Sequence, residues 1–191
     1  MPSLCAPWPS GLRPGSARPW VHFLYAELVA AERHSRRRGR LVNQAYRGQG
    51  GDGSVQGWTN EIGLVDGPRT SVGEVLQQME AGVFLCARLG GDGPLRGCVW
   101  FEPRGREGYI GMLSVFPALQ NSGLGRLLMV ECEALARERQ IPTLVLTVLA
   151  PRAELQAWYQ RQGYEPTGER LPFPHGGPLE LLVFRKLTPA G

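Results

Sequence analysis

The sequence predicts an α/β fold in which a mixed, mostly antiparallel sheet is flanked by helices. Three observations predict it. Apolar runs at Val83–Leu89, 95–102 and 109–115 succeed one another through glycine-containing turns, the pattern of an antiparallel meander. A fourth run, Thr143–Leu149, is near-continuously apolar, as expected of a strand covered on both faces. Between the third and fourth runs lies an amphipathic stretch with apolar positions Leu124, Leu127, Leu128, Cys132, Leu135 and Ala136. Strand, crossover helix and parallel strand therefore follow in order.

At 191 residues the chain suits one well-filled domain. Residues 1–19 are rich in Pro, Gly, Ser and Arg without periodicity, which predicts poor order. From residue 21 to about 47 the pattern is helical. It ends in Leu41-Val42-Asn43-Gln44-Ala45-Tyr46, with Leu41, Val42 and Ala45 on one face. Gly48-Gln49-Gly50-Gly51-Asp52-Gly53 is a polar loop that matches GxGxxG in form. No strand precedes it and no apolar helix follows, so a dinucleotide reading fails. Ser71-Val72-Gly73-Glu74 is a capping box; it opens a helix with the stripe Val72, Val75, Leu76 and Met79, which Gly82 stops. Gly90-Gly91-Asp92-Gly93 joins the first two strands, and a loop at 103–108 joins the second to the third. The crossover helix opens near Gly123 and runs to about Gln140. Another helix, from about Arg152 to Gln162, ends at Gly163, and 179–187 forms a last strand.

The net charge of +4 needs locating before it is interpreted. Residues 1–40 hold seven arginines against Glu27 and Glu32, leaving 14 basic and 15 acidic residues for the rest. A nucleic-acid-binding domain shows its positive charge on the folded body, and this one does not. The cluster Arg33, Arg36, Arg37, Arg38 and Arg40 reads as a solvated helix end, or else as a contact for an acidic partner. Cys5, Cys86, Cys98 and Cys132 form no CxxC pair; Cys86, Cys98 and Cys132 lie in apolar strand-like or helical runs and read as small buried hydrophobes, and no metal site is expected. No apolar run is long enough to span a membrane, and no clean targeting signal is seen, so a cytoplasmic protein is expected.

The stretch Gln120-Asn121-Ser122-Gly123-Leu124-Gly125-Arg126 carries the chemistry. It lies between a strand ending at Val115-Phe116-Pro117 and a helix opening near Gly123. The first turn of a helix leaves backbone N–H groups unpaired and aims its positive dipole end outward. Gly123 and Gly125 let a ligand approach the main chain, so the loop is suited to a pyrophosphate. A Walker A loop would need Lys where Arg126 stands, and a Rossmann loop would want Gly or Ala at Leu128. What remains resembles the GNAT superfamily signature (Q/R)-x-x-G-x-(G/A), filled by Gln120, Gly123 and Gly125 and preceded by Leu113-Ser114-Val115-Phe116-Pro117. A second stretch, Trp158-Tyr159-Gln160-Arg161-Gln162-Gly163-Tyr164, resembles the family's penultimate helix.

The resemblance covers roughly residues 41–188. It looks closest to short stand-alone bacterial enzymes, through Leu41-Val42-Asn43-Gln44-Ala45-Tyr46-Arg47-Gly48, Gly57-Trp58-Thr59-Asn60-Glu61, Gly67-Pro68-Arg69-Thr70 and Leu171-Pro172-Phe173-Pro174. It implies a GNAT-type mixed, mostly antiparallel twisted sheet. Two departures stand out. Ala150 and Pro151 replace an asparagine common in the family after the strand Thr143–Leu149. The family's first strand is not found, so residues 1–40 are expected to be an atypical N-terminal segment with extra helix in its place; a displaced start site or reading frame would give the same mismatch.

The resemblance implies an N-acetyltransferase that uses acetyl-CoA as co-substrate, direct attack in a ternary complex, and an acceptor that is a primary amine of a small molecule or peptide. Pantetheine is expected along residues 112–115, so that Leu113, Ser114 and Val115 join residues 120–126 in holding the coenzyme. The Leu113 N–H is the expected oxyanion donor, a contact worth roughly 3 kcal/mol in a transition state. Tyr159 is the expected proton donor to the departing thiolate. Glu61 is the leading candidate for general base, with Glu107, His175 or a water chain as alternatives; Trp58 and Arg69 are candidates for shaping the acceptor pocket, with plain packing or surface pairing as the alternative. No nucleic-acid or membrane partner is expected, and a homodimer is one assembly open to the chain. Two other classes compete: a non-catalytic acyl-CoA-binding module, and a basic-arm interaction protein whose glycine loop is incidental.

Overall fold

The computed structural model describes residues 21–25, 31–47, 61, 63–89, 93–174 and 176–188. The loop 48–53, residues 57–60, Cys5 and His175 lie outside the described residues. The chain divides into two units, residues 1–100 with 112–128, and 101–111 with 129–191.

The first unit begins with β1 (Val21–Tyr25), which runs antiparallel to β2 (Val83–Leu89), Val21 opposite Leu89 and Tyr25 opposite Leu85. The expected extra helix from residue 21 is therefore corrected: the opening strand is present, and α1 spans Ala31–Arg47. Five residues are too few to establish a period. The Ala and Glu-rich sequence that follows carried the helical pattern back across them. On α1, Leu41, Val42 and Ala45 are buried as their spacing predicts. Arg38 departs from the solvated arginine cluster. It is buried, its Nε donating to Cys86 Sγ at 3.3 Å and its Nη1 to Met79 Sδ at 3.1 Å, with the guanidinium 5.5 Å from the Phe84 ring centre.

Helix α2 (Val72–Ala81) carries the full capping box: the Glu74 N–H donates to Ser71 Oγ and the Ser71 N–H to Glu74 Oε2. Val75 and Met79 are buried, whereas Val72, on the first turn, is exposed. The Trp100 indole closes this layer by donating to the Gln78 carbonyl at 2.8 Å. Strands of this unit follow the order β1-β2-β3-β4, where β3 is Leu95–Arg104 and β4 is Glu107–Val115. Helix α3 (Leu124–Glu138) enters against β3 at Gly97, where an added Cβ would lie 3.0 Å from Leu128 Cδ1 and 3.3 Å from Leu124 Cδ2.

Strands of the second unit follow the order β3-β4-β5-β7-β6, with β5 at Thr143–Leu149, β6 at Glu165–Pro172 and β7 at Glu180–Leu187. The expected loop 103–108 is tighter than its proline suggests. The turn between β3 and β4 is Gly105-Arg106, with Gly105 at φ 64°, the left-handed first position of a two-residue hairpin. Strand β5 pairs parallel with β4 and antiparallel with β7, so the crossover is as predicted. Leu144, Leu146, Val148 and Leu149 of β5 are buried with Phe101, Cys132, Leu135, Phe184 and Tyr164. Helix α4 spans Ala153–Arg161. The sequence pattern does not predict strand β6: all eight of its residues are exposed, and it pairs antiparallel with β7, with a bulge between Pro166 and Arg170.

Candidate active site

The loop leaving β4 is built almost entirely from main-chain bonds within the first unit. Phe116 N–H donates to the Arg96 carbonyl at 2.8 Å, Pro117–Leu119 makes a turn of 3-10 helix, and Gln120 N–H returns to the Pro117 carbonyl at 3.1 Å. The Gln120 side chain ties the loop to the strand, Nε2 donating to the Val115 carbonyl at 3.3 Å. Asn121 and Gly123 are both left-handed, at φ 65° and 87°, conformations that asparagine tolerates and glycine adopts freely. They reverse the chain so that α3 starts at once. The Gly123 carbonyl accepts the N–H of Leu127 at 3.1 Å, the first helical bond. By helix geometry the N–H groups of Leu124, Gly125 and Arg126 lie ahead of that bond and face outward with the dipole. Asn121, Ser122, Gly123 and Arg126 are exposed, while Leu124 turns its side chain inward and keeps only its amide at the mouth.

The end of β4 is irregular. Met112 has φ 51°, a left-handed conformation rare for a non-glycine residue and unlike a regular strand. Ser114, itself buried, donates its hydroxyl to the Met112 carbonyl at 3.0 Å. The Tyr46 hydroxyl, from the last turn of α1, donates to the Leu113 carbonyl at 3.1 Å. Tyr46 in turn accepts the Glu61 N–H on its carbonyl at 2.7 Å and carries the Arg69 guanidinium 5.2 Å from its ring centre. Asn43, one turn earlier, accepts the N–H groups of Arg69 and Thr70 and donates to the Thr70 carbonyl. The stretches around Asn43, Glu61, Arg69 and Leu113, separate in sequence, thus meet around Tyr46. Glu61 is buried.

Tyr159 belongs to the second unit. It is buried on α4, its ring edge-on to Trp158 at 5.0 Å and to Tyr164 at 6.0 Å. Burial, with Cys132, Glu133 and Tyr159 as neighbours, pushes the Tyr164 phenol well above its ordinary ionisation range. After β5, where the resemblance implies an asparagine and Ala150 stands, the Gln156 amide donates to the Ala150 carbonyl at 2.8 Å, and so binds α4 to the end of β5 from the helix side. Glu107, an alternative base, is paired at the surface with Arg185 at 3.0 Å. The sequence pattern alone assigns no role to Tyr46, Asn43 or Gln156. Tyr46 and Asn43 lie in the stretch Leu41-Val42-Asn43-Gln44-Ala45-Tyr46, but nothing local in it shows what they touch.

The family model described as "Acetyltransferase (GNAT) family" matches residues 55–164. The chain belongs to that family. Acyl-CoA-dependent acetyl transfer in general comes with membership. A putative GNAT acetyltransferase from Desulfovibrio desulfuricans superposes with TM-score 0.65 at 16% identity, covering 88% of this chain and 99% of its own. The ribosomal-protein-S18-alanine N-acetyltransferase of Escherichia coli gives TM-score 0.65 at 15% identity, over 90% and 96% of the two chains. A GNAT acetyltransferase from Elizabethkingia anophelis with acetyl-CoA bound gives TM-score 0.52 at 17% identity, over 61% and 83%. A search of curated proteins returns no match. At these identities the neighbours speak for the GNAT fold. No helix among the described residues is long and apolar enough to cross a membrane.

Proposed function

We propose that this GNAT chain transfers the acetyl group of acetyl-CoA to a primary amine of a small molecule or peptide, by direct attack while both are bound. The observation that supports this most is the opening of α3. Asn121 and Gly123 in left-handed conformations bring the amides of Leu124, Gly125 and Arg126 to an exposed helix mouth directly after a strand. Such amides suit the diphosphate of coenzyme A. Leu113, Ser114 and Val115 would hold the pantetheine arm, with the Leu113 N–H toward the acetyl oxygen.

In this reading the amine nitrogen attacks the thioester carbon, the C–N bond forms and the C–S bond breaks. Tyr159 supplies a proton to the leaving sulfur, and Glu61 takes the proton that the amine must lose. Calorimetry with acetyl-CoA, followed by a thiol-release screen over an amine panel, tests the proposal. Micromolar or tighter binding together with amine-dependent CoA release is the expected result. Binding without release from any amine would favour the non-catalytic module, and no binding at all would remove the acyl-transfer reading for this chain.

A further inference from the structure

We propose that the hydroxyls of Ser114 and Tyr46 are a pair of positioning groups that lock the two peptide planes flanking Leu113 and thereby fix the direction of its N–H. The inference rests on the reading above, in which that N–H faces the acetyl oxygen. It names the device that aims it.

A trans peptide unit is planar, so its C=O and N–H point in opposite directions and turn together. The unit between Met112 and Leu113 contains the Met112 carbonyl and the Leu113 N–H. Its carbonyl is held by Ser114 Oγ at 3.0 Å. With the oxygen held, the N–H on the far side of the same plane is aimed as well. The following unit contains the Leu113 carbonyl, which Tyr46 holds at 3.1 Å. The φ and ψ of Leu113 are the only soft torsions between these planes, and both ends are fastened.

The fastening is needed because the backbone here is not one that strand pairing alone selects. Met112 stands at φ 51°, where a side-chain-bearing residue is strained. Such a conformation persists when surrounding contacts over-determine it. Each hydroxyl is itself constrained. Ser114 is buried, so its O–H has no bulk water as an alternative partner. Tyr46 is held through its carbonyl by the Glu61 N–H and stacked under the Arg69 guanidinium. A donor fixed before charge develops needs no reorganisation when the charge appears, and that is where oxyanion stabilisation gains its size.

The test uses the full chain and the variants Ser114→Ala, Ser114→Thr, Tyr46→Phe and the double Ser114→Ala/Tyr46→Phe. Removing an oxyanion donor outright costs 10²–10³ in kcat, so loosening its support should lower kcat roughly tenfold for each single variant. For Tyr46→Phe, which lies outside the residues that would hold the coenzyme, the KM for acetyl-CoA should move less than about threefold, because the diphosphate grip is untouched. A readout without turnover accompanies it: calorimetric affinity for acetyl-CoA relative to CoA should fall toward parity when the Leu113 N–H is no longer aimed at the acetyl oxygen. Ser114→Thr, which keeps the hydroxyl, should restore both. A kcat within twofold of wild type in Tyr46→Phe, which removes one oxygen and no packing, would overturn the proposal even if Ser114→Ala fails to fold. A loss of activity that only follows the folded fraction, with the acetyl-CoA to CoA ratio unchanged, would overturn it too. Active wild-type enzyme with indifferent variants rejects this inference alone; wild type that binds no acyl-CoA rejects the function beneath it as well.

Discussion

The Lys186 ammonium donates to the Glu133 carboxylate at 2.7 Å, joining β7 to α3 within the second unit. It also donates to the Gln162 carbonyl at 2.8 Å and lies 5.4 Å from the centre of the Tyr164 ring. Lys186 is the chain's only lysine. With side-chain exposures of 24% and 14%, the pair is too sheltered to count as a solvated surface bridge.

Replacing Lys186 with methionine should therefore destabilise the protein by about 1–3 kcal/mol, because a sheltered carboxylate and a helix-end carbonyl both lose their donor. Urea denaturation measures the loss. Adding Glu133→Leu should recover part of it, since the stranded charge is then gone. A double variant no better than the single would show that packing of the lysine stem, and not the charge pair, carries the effect.

Gly108 and Gly39 should respond to alanine in opposite directions. A Cβ at Gly108 would sit 2.6 Å from Phe101 Cε2 and 3.0 Å from Leu144 Cδ2, and both of those residues are fully buried. Neither can move aside, so Gly108→Ala should cost about 1–3 kcal/mol. Gly39 lies in α1 with nothing within 4 Å of the position, so Gly39→Ala should stabilise by up to about 1 kcal/mol through helix propensity. Thermal melts of the two variants against wild type decide the matter.

These two glycines illustrate what was legible in the sequence. Elements whose cause is local were legible: the capping box of α2, the apolar stripe of α3, the buried run of β5 and the glycine loop between β4 and α3. Elements whose cause is tertiary were not. Strand β6 contains Pro166, Gly168 and Pro172 and buries none of its residues; it is a strand because β7 offers an edge, a setting in which proline is tolerated. Strand β1 exists through its register with β2. The same division runs through the candidate site. The left-handed Gly123 follows from its motif, whereas the bond from Tyr46 to Leu113 spans 67 positions and no spacing rule reaches it.

Gly125→Glu should abolish acetyl-CoA binding while leaving the fold intact. A carboxylate in the first turn of α3 interacts favourably with the helix dipole, so the helix itself is not harmed. The same charge at the helix mouth repels a diphosphate and occupies its space. Affinity should fall at least 100-fold by calorimetry, about 2.7 kcal/mol, with an unchanged thermal midpoint. Retained affinity would move the diphosphate site away from this loop.

Tyr159→Phe should lower turnover roughly 100-fold and spare acetyl-CoA affinity. The ring's contacts with Trp158 and Tyr164 are edge-on and survive in phenylalanine. Turnover equal to wild type would assign Tyr159 to packing. A parallel fall in affinity and turnover would assign it to the binding surface, leaving the sulfur's proton donor to be sought elsewhere.

Stability should decline on the alkaline side, starting near pH 9. Burial holds the Cys98 and Cys132 thiols and the Tyr164 phenol protonated far above their ordinary values of 9.0 and 10.0. The sign follows from linkage. Below about pH 9 both folded and unfolded chains keep these protons, and the contribution is intact. Above it the unfolded chain releases protons that the folded chain retains, so rising pH favours unfolding. Each group adds about 1.4 kcal/mol of destabilisation per pH unit beyond its ordinary value until its folded-state range is reached. Thermal melts between pH 8 and 11 should show a midpoint that is flat and then falls. Cys132→Ala removes one contributor, so its midpoint should fall less steeply over that range than that of wild type. An identical slope would mean that the thiol reaches water in the folded protein.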